Sequence, residues 1–143
     1  MEAAVRALFR RYESNFNQAI RGSADLEEAA SFYASEFLAA SPAGVAAGKN
    51  DDSLAVAMKN GYARYRKIGT KEMRIEGVDL TVVDELHCLA RVSWTSVYER
   101  SDQPDVTIAF DVHYLVQILD GHPKIFGWVT GDEQALLKKH GIG

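Results

Sequence analysis

Val106-Thr-Ile-Ala-Phe-Asp-Val-His-Tyr-Leu-Val-Gln-Ile-Leu119, the turn Asp120-Gly121-His122-Pro123, and Lys124-Ile-Phe-Gly-Trp-Val-Thr130 decide the fold. Apolar and polar residues alternate here with period two, over far more than an ordinary strand length. That pattern predicts a long curved hairpin with two distinct faces. Two further alternating stretches precede it, Lys71 to Val83 and Cys88 to Arg100, separated by a turn over Asp84 to His87. The apolar phase of the first changes parity across Gly77, which predicts a bulge where the strand bends. The loop Ser101 to Asp105 leads into the hairpin.

Upstream the period lengthens to that of helices. Val5, Leu8, Phe9, Tyr12, Phe16, Ala19 and Ile20 form one stripe of a helix over Glu2 to Arg21, ended by Gly22. Asp25, with Glu28 three residues on, caps a second helix expected to reach Ser35. Phe37 to Ala40 reads as a short strand closed by Ser41-Pro-Ala-Gly44, and Val45 to Gly48 as a loop. Asn50 or Asp51 caps a third helix with the stripe Leu54, Met58, Tyr62 and Tyr65, ended by Gly69. Thr130-Gly-Asp-Glu133 starts a short last helix whose basic final turn suits the helix dipole. The expected architecture is α+β. Three N-terminal helices pack into a strongly curved antiparallel sheet, with a hollow between the layers and a short C-terminal helix.

The 143 residues suffice for one core, and the whole chain is expected to form one domain. A net charge of −4, without a basic stripe, argues against nucleic-acid binding. The single cysteine, Cys88, cannot form an internal disulfide and is expected as a buried thiol in a reducing compartment. No apolar run approaches a membrane span, and Met1 to Arg6 does not resemble a signal peptide. The expectation is a soluble cytoplasmic protein that touches no membrane. No metal-ligand spacing, phosphate loop or nucleophile elbow occurs, so neither metal nor cofactor is expected.

Strand parity sorts the side chains. Val78, Leu80, Val82, Cys88, Ala90, Val92, Trp94, Ser96 and Tyr98 should face the helices, as should Phe110, Val112, Tyr114, Ile125, Gly127 and Val129. With the helical stripes, these define an expected ligand pocket: Tyr12, Phe16, Tyr33, Met58, Tyr62, Trp94, Ser96, Phe110, Val112 and Tyr114. Buried tyrosines need hydroxyl partners, and several converging in an apolar hollow can orient a carbonyl or hydroxyl group. The opposite face should carry Asp79 across from Arg91, Ser93 across from His113, and Thr95 across from Asp111. It should also carry Leu89, Leu115, Phe126 and Trp128, which need a cover. A homodimer is therefore expected through Arg91, Ser93, Asp111, His113, Leu115, Phe126 and Trp128. Asp111 and His113 share that face as acid and base should, but it points away from the hollow, so a polar network is the plainer reading.

The order of elements resembles the superfamily named after nuclear transport factor 2, with its SnoaL-like cyclases, ketosteroid isomerases and scytalone dehydratases. The resemblance rests on the first helix ending near Arg21-Gly-Ser-Ala-Asp-Leu26, on Phe32-Tyr-Ala-Ser-Glu-Phe37, on Ser41-Pro-Ala-Gly44 and on the Phe110–Val129 hairpin. It implies a cystatin/NTF2-like α+β cone with a deep apolar pocket and frequent dimers, but no single function. The isomerase base would fall at Ser41, its helical oxyanion tyrosine near Phe16 or Tyr12, and its protonated aspartate at Val112. Serine cannot act as that base, nor can valine donate a hydrogen bond, so the resemblance implies that this apparatus is missing. The resulting expectation is a non-catalytic pocket protein or dimeric assembly module. Its alternative is an isomerase, cyclase or dehydratase using a pocket tyrosine and a carboxylate at the mouth, drawn from Glu36, Asp51 or Asp52.

Overall fold

The computed structural model describes residues 1–142. Helix α1 spans Glu2–Ile20, α2 Leu26–Ser31, α3 Asp52–Lys67 and α4 Glu133–Lys139. The strands are β1 (Tyr33–Ser41), β2 (Gly44–Lys49), β3 (Thr70–Val82), β4 (His87–Tyr98), β5 (Val106–Leu119) and β6 (His122–Val129). All six belong to one curved sheet in the order β2-β1-β6-β5-β4-β3. The long run quoted above forms β5 and β6. Asp120 and Gly121 take positive φ values of 53° and 77° between them, the geometry that lets a tight hairpin follow the sheet twist.

Local chemistry sets the helix starts. Asp25, Asp51 and Asp132 each accept a backbone N–H of the first turn, from Glu28, Ser53 and Ala135. At the other end of α3, Gly69 turns the chain into β3 at a φ of 87°. Its N–H bonds Arg66, and its carbonyl accepts from Glu99 at 2.8 Å. A Cβ there would lie 2.6 Å from the Glu99 carbonyl oxygen, so the approach of the two backbones requires glycine.

Three expectations need correction. The second helix stops at Ser31, and the chain from Tyr33 is strand, because β1 finds a partner in β6. Tertiary pairing overrides the helical reading of Tyr33 to Ser35. The stretch Val45 to Gly48 is not a loop: Ser41 to Gly44 forms a hairpin turn, and β2 pairs antiparallel with β1. Its small residues carry little strand signal of their own. Finally, β1 runs parallel to β6, so the sheet is mixed rather than wholly antiparallel.

Helix α1 buries Val5, Leu8, Phe9, Ala19 and Ile20 against the concave face, where Ala90, Val92, Trp94, Tyr114, Val116 and Ile125 meet them. Polar hooks fix its position: Glu13 accepts the Ile75 N–H at 2.5 Å and Asn17 bonds both backbone groups of Met73. These contacts sit beside the β3 irregularity between Ile75 and Gly77, at the bend expected there. A second, smaller core forms under α4 from Tyr98, Ile108, Leu137 and Ile142. Cys88 is buried and free. No described helix is long and apolar enough to cross a membrane.

Candidate functional site: an aromatic cavity in the cone

Register decides which side chains enter the hollow. Pairs such as Ala90↔Tyr114↔Trp128 and Val92↔Val112 place their side chains on the concave side. Trp128 therefore departs from expectation. The β5–β6 register shifts between Leu115↔Gly127 and Val116↔Ile125, leaving Phe126 as the extra residue of a bulge. One extra residue inverts every side chain beyond it. Gly127 and Val129 thus turn outward and Trp128 turns inward, where it stacks on Phe37 at 5.2 Å and meets Tyr33 edge-on. Val82, also expected inside, is 63% exposed at the end of β3.

The cavity measures about 590 Å³, within the range of sites for small organic ligands. Tyr12 and Phe16 of α1, Tyr33 of β1, Tyr65 of α3, and Met73, Trp94, Phe110, Val112, Tyr114 and Trp128 of the sheet wall it. Thr130, Gly131, Asp132, Glu133 and Leu136 pass across its mouth together with Asp111. A side chamber of about 160 Å³ shares Tyr12, Phe16, Tyr33 and Tyr65 as its partition and adds Met58 and Tyr62.

Of the residues expected in the pocket, Tyr12, Phe16, Tyr33, Trp94, Phe110, Val112 and Tyr114 line the main cavity. Met58 and Tyr62 line the side chamber instead. Ser96 reaches neither; it is fully buried and donates to the Ile108 carbonyl at 3.3 Å. Sequence reasoning left out Tyr65, Met73, Trp128 and the stretch from Thr130 to Leu136. Tyr65 lay on an inward stripe and was recoverable. Trp128 needed the bulge, and the mouth segment carries no periodic signal at all.

Hydroxyl partners are mostly internal. The Tyr33 hydroxyl donates to that of Tyr12 at 3.1 Å, and the Tyr12 and Tyr114 rings meet edge-on with centroids 6.0 Å apart. Trp94 Nε1 donates to the Tyr114 hydroxyl at 3.2 Å. Burial raises the pKa of all three tyrosines; for Tyr33 and Tyr114 the mutual repulsion of the clustered phenols raises it further. Tyr62 is pushed up to about 12, chiefly by burial. At the mouth the Tyr65 hydroxyl donates to Glu133 Oε1 at 2.6 Å, and burial together with that carboxylate raises the Tyr65 pKa strongly. The cluster therefore stays protonated at neutral pH and acts as hydrogen-bonding phenol, not phenolate.

None of the carboxylates expected at the mouth is there. Glu36 and Asp51 border a separate open groove with Phe37, Leu38, Lys49 and Phe126. Asp52 is exposed in the first turn of α3. The acid–base arrangement envisaged for those three residues is not assembled.

The convex face carries two rows across all six strands. Val45, Ala40, Val129, His113, Arg91 and Asp79 form one; Ala47, Leu38, Gly127, Leu115, Leu89 and Thr81 form the other. Asp79 pairs with Arg91 at 2.5 Å as expected. Ser93 lies opposite Asp111 and Thr95 opposite Ala109, two residues from the expected register, because β4 ends at Tyr98, opposite Val106, and not at Arg100. Asp111 and His113 thus remain on the outer strand phase, with Asp111, at the rim of the sheet, also bordering the cavity mouth. Arg91, Ser93, Leu115 and Phe126 share that side with them; Trp128 does not.

An α+β architecture with helices packed into one curved six-stranded sheet is a cystatin-like, NTF2-like fold. Residues 2–133 match the family model described as NTF2-like protein (DUF6841), and the chain belongs to that family. No curated protein matches the sequence. Among solved structures it is similar to an NTF2-like protein with a cystatin-like fold from Novosphingobium aromaticivorans, at 14% identity and a TM-score of 0.70 over 95% of this chain and 88% of that one. An NTF-2 like protein of unknown function from Shewanella oneidensis superposes with a TM-score of 0.66 at 16% identity, over 92% and 98% of the two chains. A ketosteroid isomerase-like protein from Erwinia carotovora atroseptica does so with 0.63 at 17%, over 90% and 93%. At these identities the likeness is one of fold.

Proposed function

We propose that the protein binds a small, flat, largely apolar molecule in the cone, with the tyrosine hydroxyls reading an oxygen on it. The observation that carries this is the cavity of about 590 Å³ walled by aromatic rings with a line of protonated phenols at Tyr12, Tyr33 and Tyr114. A void of that size left dry would forfeit dispersion contacts along its whole lining. Each phenol has one proton to donate, and a carbonyl or hydroxyl oxygen entering the line offers it an acceptor. The reading is one of holding; Glu36, Asp51 and Asp52 lie away from the lining, and the carboxylates a catalytic reading would call on instead are Asp111, Asp132 and Glu133, which border it.

The working unit in this proposal is a homodimer. Leu38, Val45 and Val129 are 48%, 70% and 48% exposed on the convex face, alongside Ala40 and Leu115. A patch of that kind on a sheet is characteristic of a covered surface. A second copy is a suitable cover: Arg91 beside Asp79 leaves no single-sign field for two identical faces to repel.

Steroids and aromatic polyketides are the probes for the pocket. Binding to the folded state alone should stabilise it by about 2.7 kcal/mol at a hundredfold excess over Kd, seen as a melting temperature that rises with concentration. Tyr12→Phe should weaken a carbonyl-bearing ligand by about 1 kcal/mol. A flat melting temperature across the whole panel would remove the basis for a ligand site.

A further inference from the structure

The wall of the cavity sorts its chemistry by depth. Rings and paired hydroxyls occupy the interior. Asp111, Asp132 and Glu133 stand at the mouth, and no lysine, arginine or histidine lines the cavity. The two basic residues of α4, Lys138 and Lys139, lie in its last turn, away from the lining. A surface carboxylate is ordinarily just solvated, but Glu133 differs in being held. The Tyr65 hydroxyl fixes its Oε1 at 2.6 Å, while Oε2 makes no hydrogen bond among the described residues. Asp132 is likewise oriented by one oxygen, which caps Ala135 at 2.9 Å. Aromatic rings sit next to these acids along the chain: Phe110 precedes Asp111, and Trp128 precedes the Thr130–Glu133 segment.

Three consequences follow from elementary electrostatics. Carboxylates above a low-dielectric wall focus a negative potential into the opening. Aromatic π faces attract a cation and repel an anion. A carboxylate or phosphate ligand would find no counter-charge anywhere on the lining.

We infer that the ligand is a protonated amine on a flat apolar body, its ammonium at the mouth beside Glu133 and Asp132 and its ring system against Trp94, Phe110 and Trp128. This rests on the pocket reading above and adds the sign of the charge to it.

Three probes sharing one oxygen-bearing body separate the two claims: 2-(6-hydroxy-2-naphthyl)ethylammonium, 2-(6-hydroxy-2-naphthyl)ethanol and 6-hydroxy-2-naphthylacetate, each titrated calorimetrically into the full-length protein. The ammonium should bind about fivefold more tightly than the alcohol, the size of one partly exposed ion pair, and the acetate should bind weakest. The ammonium's advantage should shrink as salt is added. Glu133→Gln together with Asp132→Asn keeps both structural acceptors and removes both charges, so the ammonium-to-alcohol ratio should fall towards one. The ammonium inference is overturned if the alcohol or the acetate binds as tightly as the ammonium, or if the doubly neutralised protein keeps the full ratio. In those cases the pocket itself survives. Binding by none of the three overturns the pocket and the charge assignment together.

Discussion

Tyr12, Tyr33 and Tyr114 are aromatic walls and hydrogen-bond partners at once, and that double role has a pH signature. Their pKa values are raised above 10.0 in the folded chain by burial. An unfolded chain ionises its phenols near pH 10. Below that pH both states are neutral and the cluster's contribution to stability is complete. Above it only the unfolded chain sheds protons, so stability falls as pH rises towards the folded values. Absorbance at 295 nm should therefore show these phenols ionising together with loss of near-ultraviolet circular dichroism. All six tyrosines of the chain titrating near pH 10 with the native spectrum intact would contradict the buried network. The cluster was visible early: Tyr12 and Tyr114 fall on strict helical and strand phases. What no phase reveals is that the Tyr12 hydroxyl meets that of Tyr33.

At the scale of elements, single-residue geometry governs how the layers join. Gly69 lets α3 turn directly into β3 with 2.6 Å between its absent Cβ and the Glu99 carbonyl. Gly69→Ala should cost about 2 kcal/mol, combining left-handed strain with a backbone clash. Urea unfolding should show a lower midpoint with an unchanged slope; an unshifted midpoint would mean the turn relaxes without cost. Strands with strong alternation, β3 to β5, could be read directly because one buried face imposes period two. The weak elements could not. The residues of β2 are small, and β1 takes its conformation from β6, about ninety residues away. The Phe126 bulge is silent in sequence, since Lys124 to Val129 alternates as well in either phase. That one residue moved Trp128 from the expected dimer surface to the cavity wall. The mouth segment was read correctly as a helix start, but where a short helix docks depends on Leu137 and Ile142 meeting Tyr98 and Ile108.

For the whole molecule, the convex face gives the clearest prediction. Val129→Glu places a charge in the middle of the outer rows without touching the cavity. Light scattering should report a dimer for the native protein and a monomer for the variant; a variant of unchanged mass would exclude this face as the interface. The parallel seam between β1 and β6 has a further consequence for biogenesis. Residues 33–41 leave the ribosome long before residues 122–129, which must dock beside them. A nascent chain can form its first hairpin but cannot seat it, and Tyr33 and Phe37 wait for Trp128 to arrive. The cavity wall is thus completed by the last of the six strands to be synthesised, and a translation product that stops short of it lacks Trp128.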